Sequence, residues 1–153
     1  MRNLVCATRG GEGSRAAQLA AIAQAKAENA ALTFLYVVDP HSLRGVDDSL
    51  ETAVSAELHW MGQTLLRIAQ NRAHAAGLST EISLRHGRTT DQICQFLQDT
   101  HADLLILGTP RGTTANVFGD DAIEQFATAV EQQTNVPVKL IHPDSVAQRS
   151  SSH

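Results

Sequence analysis

Cysteine and clusters of basic residues are scarce in this chain. Its 153 residues include two cysteines, Cys6 and Cys94, which are far apart and form no CxxC pair, so neither a metal centre nor a redox pair is expected. Both cysteines lie in apolar segments and are predicted to be small core residues. No run of five basic residues occurs and the formal charge is −4, which disfavours nucleic acid and anionic membranes as partners.

Long apolar segments are missing as well. The first one, residues 4–8, is too short for the apolar part of a signal sequence or for a membrane span, and no other segment approaches the length of a span. We therefore expect a cytoplasmic protein that does not insert into a membrane. The length and the hydrophobic content of 42% favour a single domain, residues 1–142, followed by a flexible polar tail over residues 143–153.

The usual sequence patterns of enzymes are also absent. The seven histidines are scattered and form no HExxH pair, and no G-x-S-x-G sequence surrounds Ser14. The sequence therefore predicts no catalytic residues and no metal ligands. An enzyme, either a slow nucleotide hydrolase or an NAD-dependent oxidoreductase, ranks below a binding protein.

Short apolar strands alternate with amphipathic helices along the chain. Strands are predicted at residues 4–8, 32–38, 81–84, 103–107 and 136–141. Helices are predicted at residues 14–30, 48–76, 89–97 and 121–130. Ser14 and Thr89 or Thr90 are candidate N-caps, and Gly77 is the candidate C-cap of the long second helix. The alternation predicts an α/β fold, with an open parallel sheet and helices on both faces.

A glycine-rich turn follows the first strand. Gly11, Gly13 and Ala16 fit the spacing G-x-G-x-x-A, and Asp39 closes the second strand, where a dinucleotide-binding domain carries the acid that bonds the ribose. The glycines begin late after the strand, however, and the chain is too short for a separate substrate domain. Three interpretations stay open, namely an NAD site, a site with a different nucleotide geometry, and a plain turn.

The segment 102–119 gives the strongest functional signal. An apolar strand ends there at Gly108, and a loop rich in glycine and hydroxyl groups follows, as is typical beside a ligand crevice. Backbone N–H groups, polar side chains and cations at this edge can bind a phosphate, and the candidates are Arg9, Arg111, Gly112, Thr113, Thr114 and Asn116. In the alternative interpretation, Arg111 is solvated and the threonines only close a tight loop.

Two carboxylates affect this candidate phosphate site. Asp120 and Asp121 stand where the last helix is predicted to begin, so they interact with the helix dipole themselves and repel a phosphate. An alternative is a magnesium ion that is held by one of them and bound with the nucleotide, although the spacing gives it no support.

Several segments together resemble the universal stress protein family. They are residues 5–8, 35–40, 84–87, 102–109 and 136–138, with the long middle helix between them. The resemblance implies an adenine-nucleotide alpha-hydrolase-like fold with five parallel strands in the order 3-2-1-4-5. It also implies a stress-response regulatory protein that forms a homodimer through its last strand, Pro137 to Ile141, with any other protein partner unidentified.

Some members of that family bind ATP across the ends of the first and fourth strands. They usually carry G-x2-G-x9-G-[ST] after the fourth strand, whereas Gly108, Gly112 and Gly119 are spaced differently here and Asp120 replaces the hydroxyl residue. Arg9 likewise replaces an aspartate. We therefore expect ATP or AMP to bind weakly or with altered geometry, the alternative being a homodimeric interaction module that binds no nucleotide.

The candidate nucleotide contacts combine the positions implied by the family with the groups of the loop. Val38 is the position that contacts the adenine through its backbone groups in the family. The full set is Ala7, Thr8, Arg9, Val38, Asp39, Gly108, Arg111, Gly112, Thr113 and Thr114.

Overall fold

The computed structural model describes residues 2–8, 11–40, 48–109 and 120–142 of the chain, without the side chains of residues 11–13, 48 and 120–122. Five strands and four helices follow one another, and a short 3-10 turn, Asp48–Leu50, precedes the second helix. In chain order they are β1 (Asn3–Ala7), α1 (Gly11–Glu28), β2 (Ala31–Val38), α2 (Glu51–Ala75), β3 (Glu81–His86), α3 (Thr89–Asp99), β4 (Leu104–Gly108), α4 (Asp120–Thr134) and β5 (Val138–Ile141).

The five strands form one parallel sheet in the order β3-β2-β1-β4-β5, which confirms the predicted fold. β1 lies in the middle, and its Cys6 is opposite Phe34 on one side and Ile106 on the other. β4 is buried along its whole length, as expected of a strand that is covered on both faces. β3 and β5 are the edges and are more exposed, so the prediction that the third strand lies near an edge is confirmed.

Helices cover both faces of the sheet. The side chains of α1 and α2 share one core with one face of the strands, and those of α3 and α4 share a second core with the other face. Ala17, Ala21 and Ala25 of α1 are completely buried, and their small size lets this helix lie close to the central strands. Side chains alternate along β1, so that Cys6 belongs to the first core and Ala7 to the second.

α2 approaches β2 closely because residue 62 has no side chain. A Cβ atom at Gly62 would lie 2.4 Å from Cδ1 of Tyr36, well inside van der Waals contact. Tyr36 is itself 6% exposed, so its ring has little room to move away. Glycine at this position therefore fixes the separation between α2 and the sheet.

Two of the residues predicted as helix caps, Ser14 and Gly77, occupy other positions in the structure. α1 begins at Gly11, so Ser14 lies inside the helix and is buried, and the prediction that it is the N-cap is wrong. α2 ends at Ala75 with Ala76 as its C-cap, so Gly77 is the next residue and has a φ of +86°. The N–H of Gly77 donates to His74 O at 2.9 Å in a Schellman motif, which explains why a glycine stands there.

Several other boundaries shift by one or more residues, among them the starts of β4 and of the last helix. β4 begins at Leu104 rather than at Asp103, and the Oδ2 of Asp103 accepts the N–H of Asn3 at 2.8 Å. The last helix begins at Asp120 rather than at Asp121.

Within the described part of the chain, every helix is too short or too polar to span a membrane. The tail predicted over residues 143–153 lies outside the described residues. The same is true of residues 41–47 in the polar connection before α2.

Candidate functional site

The carboxyl edge of the sheet brings half of the predicted site residues together. Ala7 and Thr8 end β1, Val38 and Asp39 end β2, and Gly108 ends β4, so they lie on three adjacent strands. The strand order reverses between β1 and β4, and ligands of open α/β sheets bind in the crevice at such a point. The other predicted contacts lie outside the described residues; they are Arg9, Arg111, Gly112, Thr113 and Thr114.

Thr8 is tied to the interior of the molecule. Its N–H donates to Leu35 O at 2.8 Å, and its Oγ1 accepts Nε2–H of Gln18 at 2.7 Å. Oε1 of Gln18 in turn accepts from Nη1 of Arg72 at 2.6 Å, so a polar chain links β1, α1 and α2. Because Thr8 is 1% exposed, its hydroxyl is part of this buried polar chain.

Asp39 is bound to the start of α3. Its Oδ2 accepts both the N–H and the Oγ1–H of Thr89, each at 3.0 Å. α3 receives no capping bond from the side chain of its own N-cap, Arg88, so a carboxylate from β2 satisfies one of its free N–H groups. Asp39, the predicted ribose contact, therefore also caps α3, and the prediction that Thr89 or Thr90 is the N-cap is wrong because that position is Arg88.

The carbonyl of Val38 also has a partner. It accepts the N–H of Gly87 at 3.0 Å, which extends the pairing of β2 and β3 beyond the last strand residues. Gly87 has a φ of +139°, and a Cβ there would lie 2.9 Å from Nε2 of Gln92. The backbone position predicted to contact an adenine is thus part of the strand ladder.

Sequence reasoning missed a histidine pair beside Val38. His86 is opposite Val38 in the register of β2 and β3, and its Nε2 lies 2.9 Å from Nδ1 of His59 on α2. The ring planes are inclined by 16° and the centroids are 5.0 Å apart, so the rings meet nitrogen to nitrogen. One ring nitrogen donates and the other accepts. No local pattern signals this pair, because it forms only when α2 lies across the ends of β2 and β3.

A second missed contact lies on the other side of the crevice. Thr109 follows β4 and is 1% exposed, and its Oγ1 lies 2.9 Å from Nδ1 of His142, which follows β5. The N–H of Thr109 donates to Ile141 O at 3.0 Å. The ends of β4 and β5 are thereby held together beside Gly108, the last residue before the predicted phosphate loop.

The cysteines of the described chain do not form a reactive or metal-binding site. Cys6 and Cys94 are both free and buried, which confirms their predicted place in the core. Burial raises the pKa of the Cys6 thiol to about 12, so the nucleophilic thiolate does not form near neutral pH. No group of three or more histidine, cysteine or acidic residues that would hold a metal ion occurs among the residues the structure describes.

A model of the universal stress protein family matches residues 1–142. This chain belongs to the universal stress protein family. No match was found among curated protein sequences. The solved structures with the same fold include several members of this family.

Three solved structures illustrate the likeness. Universal stress protein UspA from Lactobacillus plantarum is 21% identical, with a TM-score of 0.71 over 92% of this chain and 97% of that one. A family member from Burkholderia pseudomallei is 22% identical, with a TM-score of 0.67 over 91% and 94% of the two chains. An AMP-bound family member from Arabidopsis thaliana is 17% identical, with a TM-score of 0.67 over 93% and 92%. At these identities the likeness establishes the fold.

Proposed function

We propose that this universal stress protein is a stress-response regulator that binds an adenine nucleotide, ATP or AMP, at the carboxyl edge of its sheet. The observation that carries the proposal is the reversal of strand order between β1 and β4, where Ala7 and Gly108 end adjacent strands. Family structures solved with AMP, with cAMP and, from Archaeoglobus fulgidus, with dAMP support this class of ligand.

The nucleotide is held with altered geometry in this proposal. Asp39 is bonded to Thr89 and the Val38 carbonyl to Gly87, so two groups predicted to hold the nucleoside already have partners within the fold. The phosphate side then supplies more of the binding free energy, through the charged donors of Arg111 and the backbone groups of its loop.

Calorimetric titration of nucleotide-free protein with ATP and AMP, with and without Mg²⁺, tests the proposal. Saturable binding is expected, and Arg111→Ala should weaken ATP binding by about tenfold because a charged donor is lost. Arg67→Ala, at an exposed position of α2, is the matched control and should leave the affinity unchanged. Wild-type protein that binds neither nucleotide at millimolar concentration, where the binding free energy is only about −4 kcal/mol, would refute the proposal.

The alternative function is an interaction module of the same family that binds no nucleotide. The bonds that Asp39 and the Val38 carbonyl make within the fold favour this alternative. Under either function we propose a homodimer through β5, over Pro137 to Ile141. β5 pairs only with β4 among the described strands, so its other edge is available to a partner strand.

The outer edge of β5 has one N–H group to offer. In a parallel ladder alternate residues of a strand bond to each neighbour, and the carbonyls of Pro137 and Ile141 accept from the β4 side. The backbone N–H and C=O groups of Val138 and Leu140 therefore point away from β4. The N–H of Val138 is already bonded to Oε2 of Glu131 at 3.0 Å, so the N–H of Leu140 is the one that a partner strand would use.

Leu140→Pro removes this donor and leaves the bonds to β4 in place. We expect a dimer for the wild type and a monomer for the variant in light scattering, with the circular dichroism of a folded protein in both. Leu140→Val is the control and should stay dimeric. A wild type that is monomeric, or a dimeric Leu140→Pro variant, would contradict pairing through this edge.

A further inference from the structure

His59 and His86 bring two imidazole nitrogens from different elements of the fold close together. Nδ1 of His59, on α2, lies 2.9 Å from Nε2 of His86, the last residue of β3. The two histidines are 27 positions apart in the chain, so no local pattern marks them as metal ligands. His86 is exposed and His59 is half-buried, and the pair is therefore accessible from solvent.

The packing of α2 against the sheet fixes the positions of both histidines. Gly62 lies about one turn after His59, and a Cβ there would lie 2.4 Å from Cδ1 of Tyr36, so the two elements are in close contact. Tyr36 is opposite Leu84 in the register of β2 and β3, two residues before His86. Both imidazoles thus come from regular elements whose separation is set by a buried contact, as a pre-organised pair of ligands requires.

Two charged residues beside the pair have partners elsewhere in the fold. The guanidinium of Arg85 lies 5.0 Å from the centre of the Phe96 ring and 3.7 Å from Oδ2 of Asp99, both on α3. Arg85 is therefore on the face of the sheet opposite to α2, and its charge does not oppose a cation at the pair at close range. Oδ2 of Asp39 accepts two bonds from Thr89.

The spacing of the two nitrogens suits an ion that binds its ligands at right angles. Bonds from a metal ion to imidazole are about 2.0–2.1 Å long, which puts two nitrogens about 2.9 Å apart at a right angle and about 3.3 Å apart at a tetrahedral angle. The observed separation is 2.9 Å. Right angles between nitrogen ligands are typical of Cu²⁺ and Ni²⁺, whereas structural Zn²⁺ sites are tetrahedral.

We propose that His59 and His86 bind a divalent late transition-metal ion, Cu²⁺ more tightly than Ni²⁺. This inference does not rest on the proposed function. Among the residues that the structure describes, no group of three or more histidine, cysteine or acidic side chains would hold an ion, so water fills the other positions.

The ion takes the place of the proton between the two rings. In the neutral pair one nitrogen donates that proton to the other. When the ion binds, the donating ring adopts its other tautomer, with the proton on the nitrogen away from the ion, so that two neutral imidazoles are the ligands. The ring planes are inclined by only 16°, and a small turn of the exposed His86 ring directs its lone pair to an ion that also contacts His59.

Calorimetric titration of the full chain with Cu²⁺, Ni²⁺ and Mg²⁺ at about pH 7, in a weakly competing buffer, tests the inference. We expect Cu²⁺ to bind more tightly than Ni²⁺, and no binding of Mg²⁺, which prefers oxygen ligands. His59→Asn and His86→Gln should each weaken Cu²⁺ binding by more than about tenfold, because one ligand remains. Since the two ligands act as a unit, the double variant should be within about twofold of either single variant.

The choice of variants separates metal binding from a structural role of the pair. Asparagine and glutamine keep a polar group near the lost nitrogen and can still form a hydrogen bond between positions 59 and 86, but they remove the imidazole. Circular dichroism should show all variants folded. His74→Gln, at an exposed position near the end of α2, is the control for removing a histidine and should leave Cu²⁺ affinity unchanged.

Pulsed electron paramagnetic resonance with one equivalent of Cu²⁺ gives a second, direct readout. Two coordinated imidazoles are expected in the wild type and one in either single variant. Wild-type protein that binds Cu²⁺ no more tightly than the double variant, or a wild-type spectrum with a single imidazole, would overturn the inference. Neither result affects the nucleotide site, which the ATP titration in metal-free buffer tests separately.

Discussion

The two halves of the carboxyl edge use their polar groups in different ways. On the β2–β3 side, Asp39, the Val38 carbonyl and a pair of histidines all bond to other groups of the fold. On the β4–β5 side, Oγ1 of Thr109 and Nδ1 of His142 lie 2.9 Å apart and join the ends of two neighbouring strands. The groups predicted to bind a nucleoside thus already have hydrogen-bond partners within the fold, whereas the loop predicted to bind phosphates lies outside the described residues.

We predict that this difference separates residues that stabilise the fold from residues that bind the nucleotide. Substitutions on the β2–β3 side should lower the free energy of unfolding and leave ATP affinity unchanged. A substitution at Arg111 should do the reverse. The three predictions below test the stability half of this comparison, from the largest expected effect to the smallest.

Gly62→Ala should be the most damaging of these changes. Its Cβ would lie 2.4 Å from Cδ1 of Tyr36, so α2 has to move away from β2 and the free energy of unfolding should fall by about 3 kcal/mol. Urea denaturation followed by circular dichroism measures the loss. Gln63→Ala, at the exposed neighbouring position, should change the stability by less than about 0.5 kcal/mol. Equal stabilities of the two variants would mean that α2 does not pack closely against Tyr36 of β2.

Asp39→Ala should lower the free energy of unfolding by about 1.5 kcal/mol, since the N–H of Thr89 loses its acceptor at the start of α3. Asp39→Asn keeps a side-chain oxygen and should lose less. ATP affinity, measured by calorimetry on the same samples, should stay within about twofold of the wild type. A large loss of ATP affinity without a loss of stability would contradict the distinction between the two halves. It would mean that Asp39 contacts the nucleotide.

Cys6 lies on β1, between the two halves, and its thiol is buried in the core that α1 and α2 share with the sheet. Its ionisation therefore tests how well this core excludes water. Its pKa is raised by burial from 9.0 to about 12, so above pH 9 the unfolded chain releases a proton that the folded chain retains. The free energy of unfolding should therefore fall as the pH rises, by about 1 kcal/mol between pH 9 and pH 10 from this thiol alone. Urea titrations across this range should give a steeper fall for the wild type than for Cys6→Ala. Parallel curves would show that the thiol ionises as easily in the folded chain as in the unfolded one.

Much of the fold was predictable because its signals are local. The apolar run of β4 indicated a strand buried on both faces, and Ala17 and Ala21 indicated a helix that can lie close to a sheet. Gly77 marked the end of α2 to within one residue, since few other residues adopt its positive φ. The strand order came from the resemblance to a family, because periodicity alone does not say which strands are neighbours.

The site was less predictable because its contacts join distant parts of the chain. Asp39 and Thr89 are 50 residues apart, and Thr109 and His142 are 33 apart. An aspartate before a proline has the same local pattern whether it bonds a ribose or caps a helix. The predicted roles of Arg111 and of its loop lie outside the described residues and stay predictions.

Glu131 limits the registers in which another strand can pair with the exposed edge of β5. A strand with all its N–H groups free pairs in any of several registers and invites the addition of unrelated chains. With the Val138 N–H already bonded to this carboxylate, an added strand gains its full set of bonds only when it matches Leu140. The bond to Glu131 therefore disfavours indiscriminate sheet growth, and in the proposed homodimer it would limit the register in which the second chain pairs.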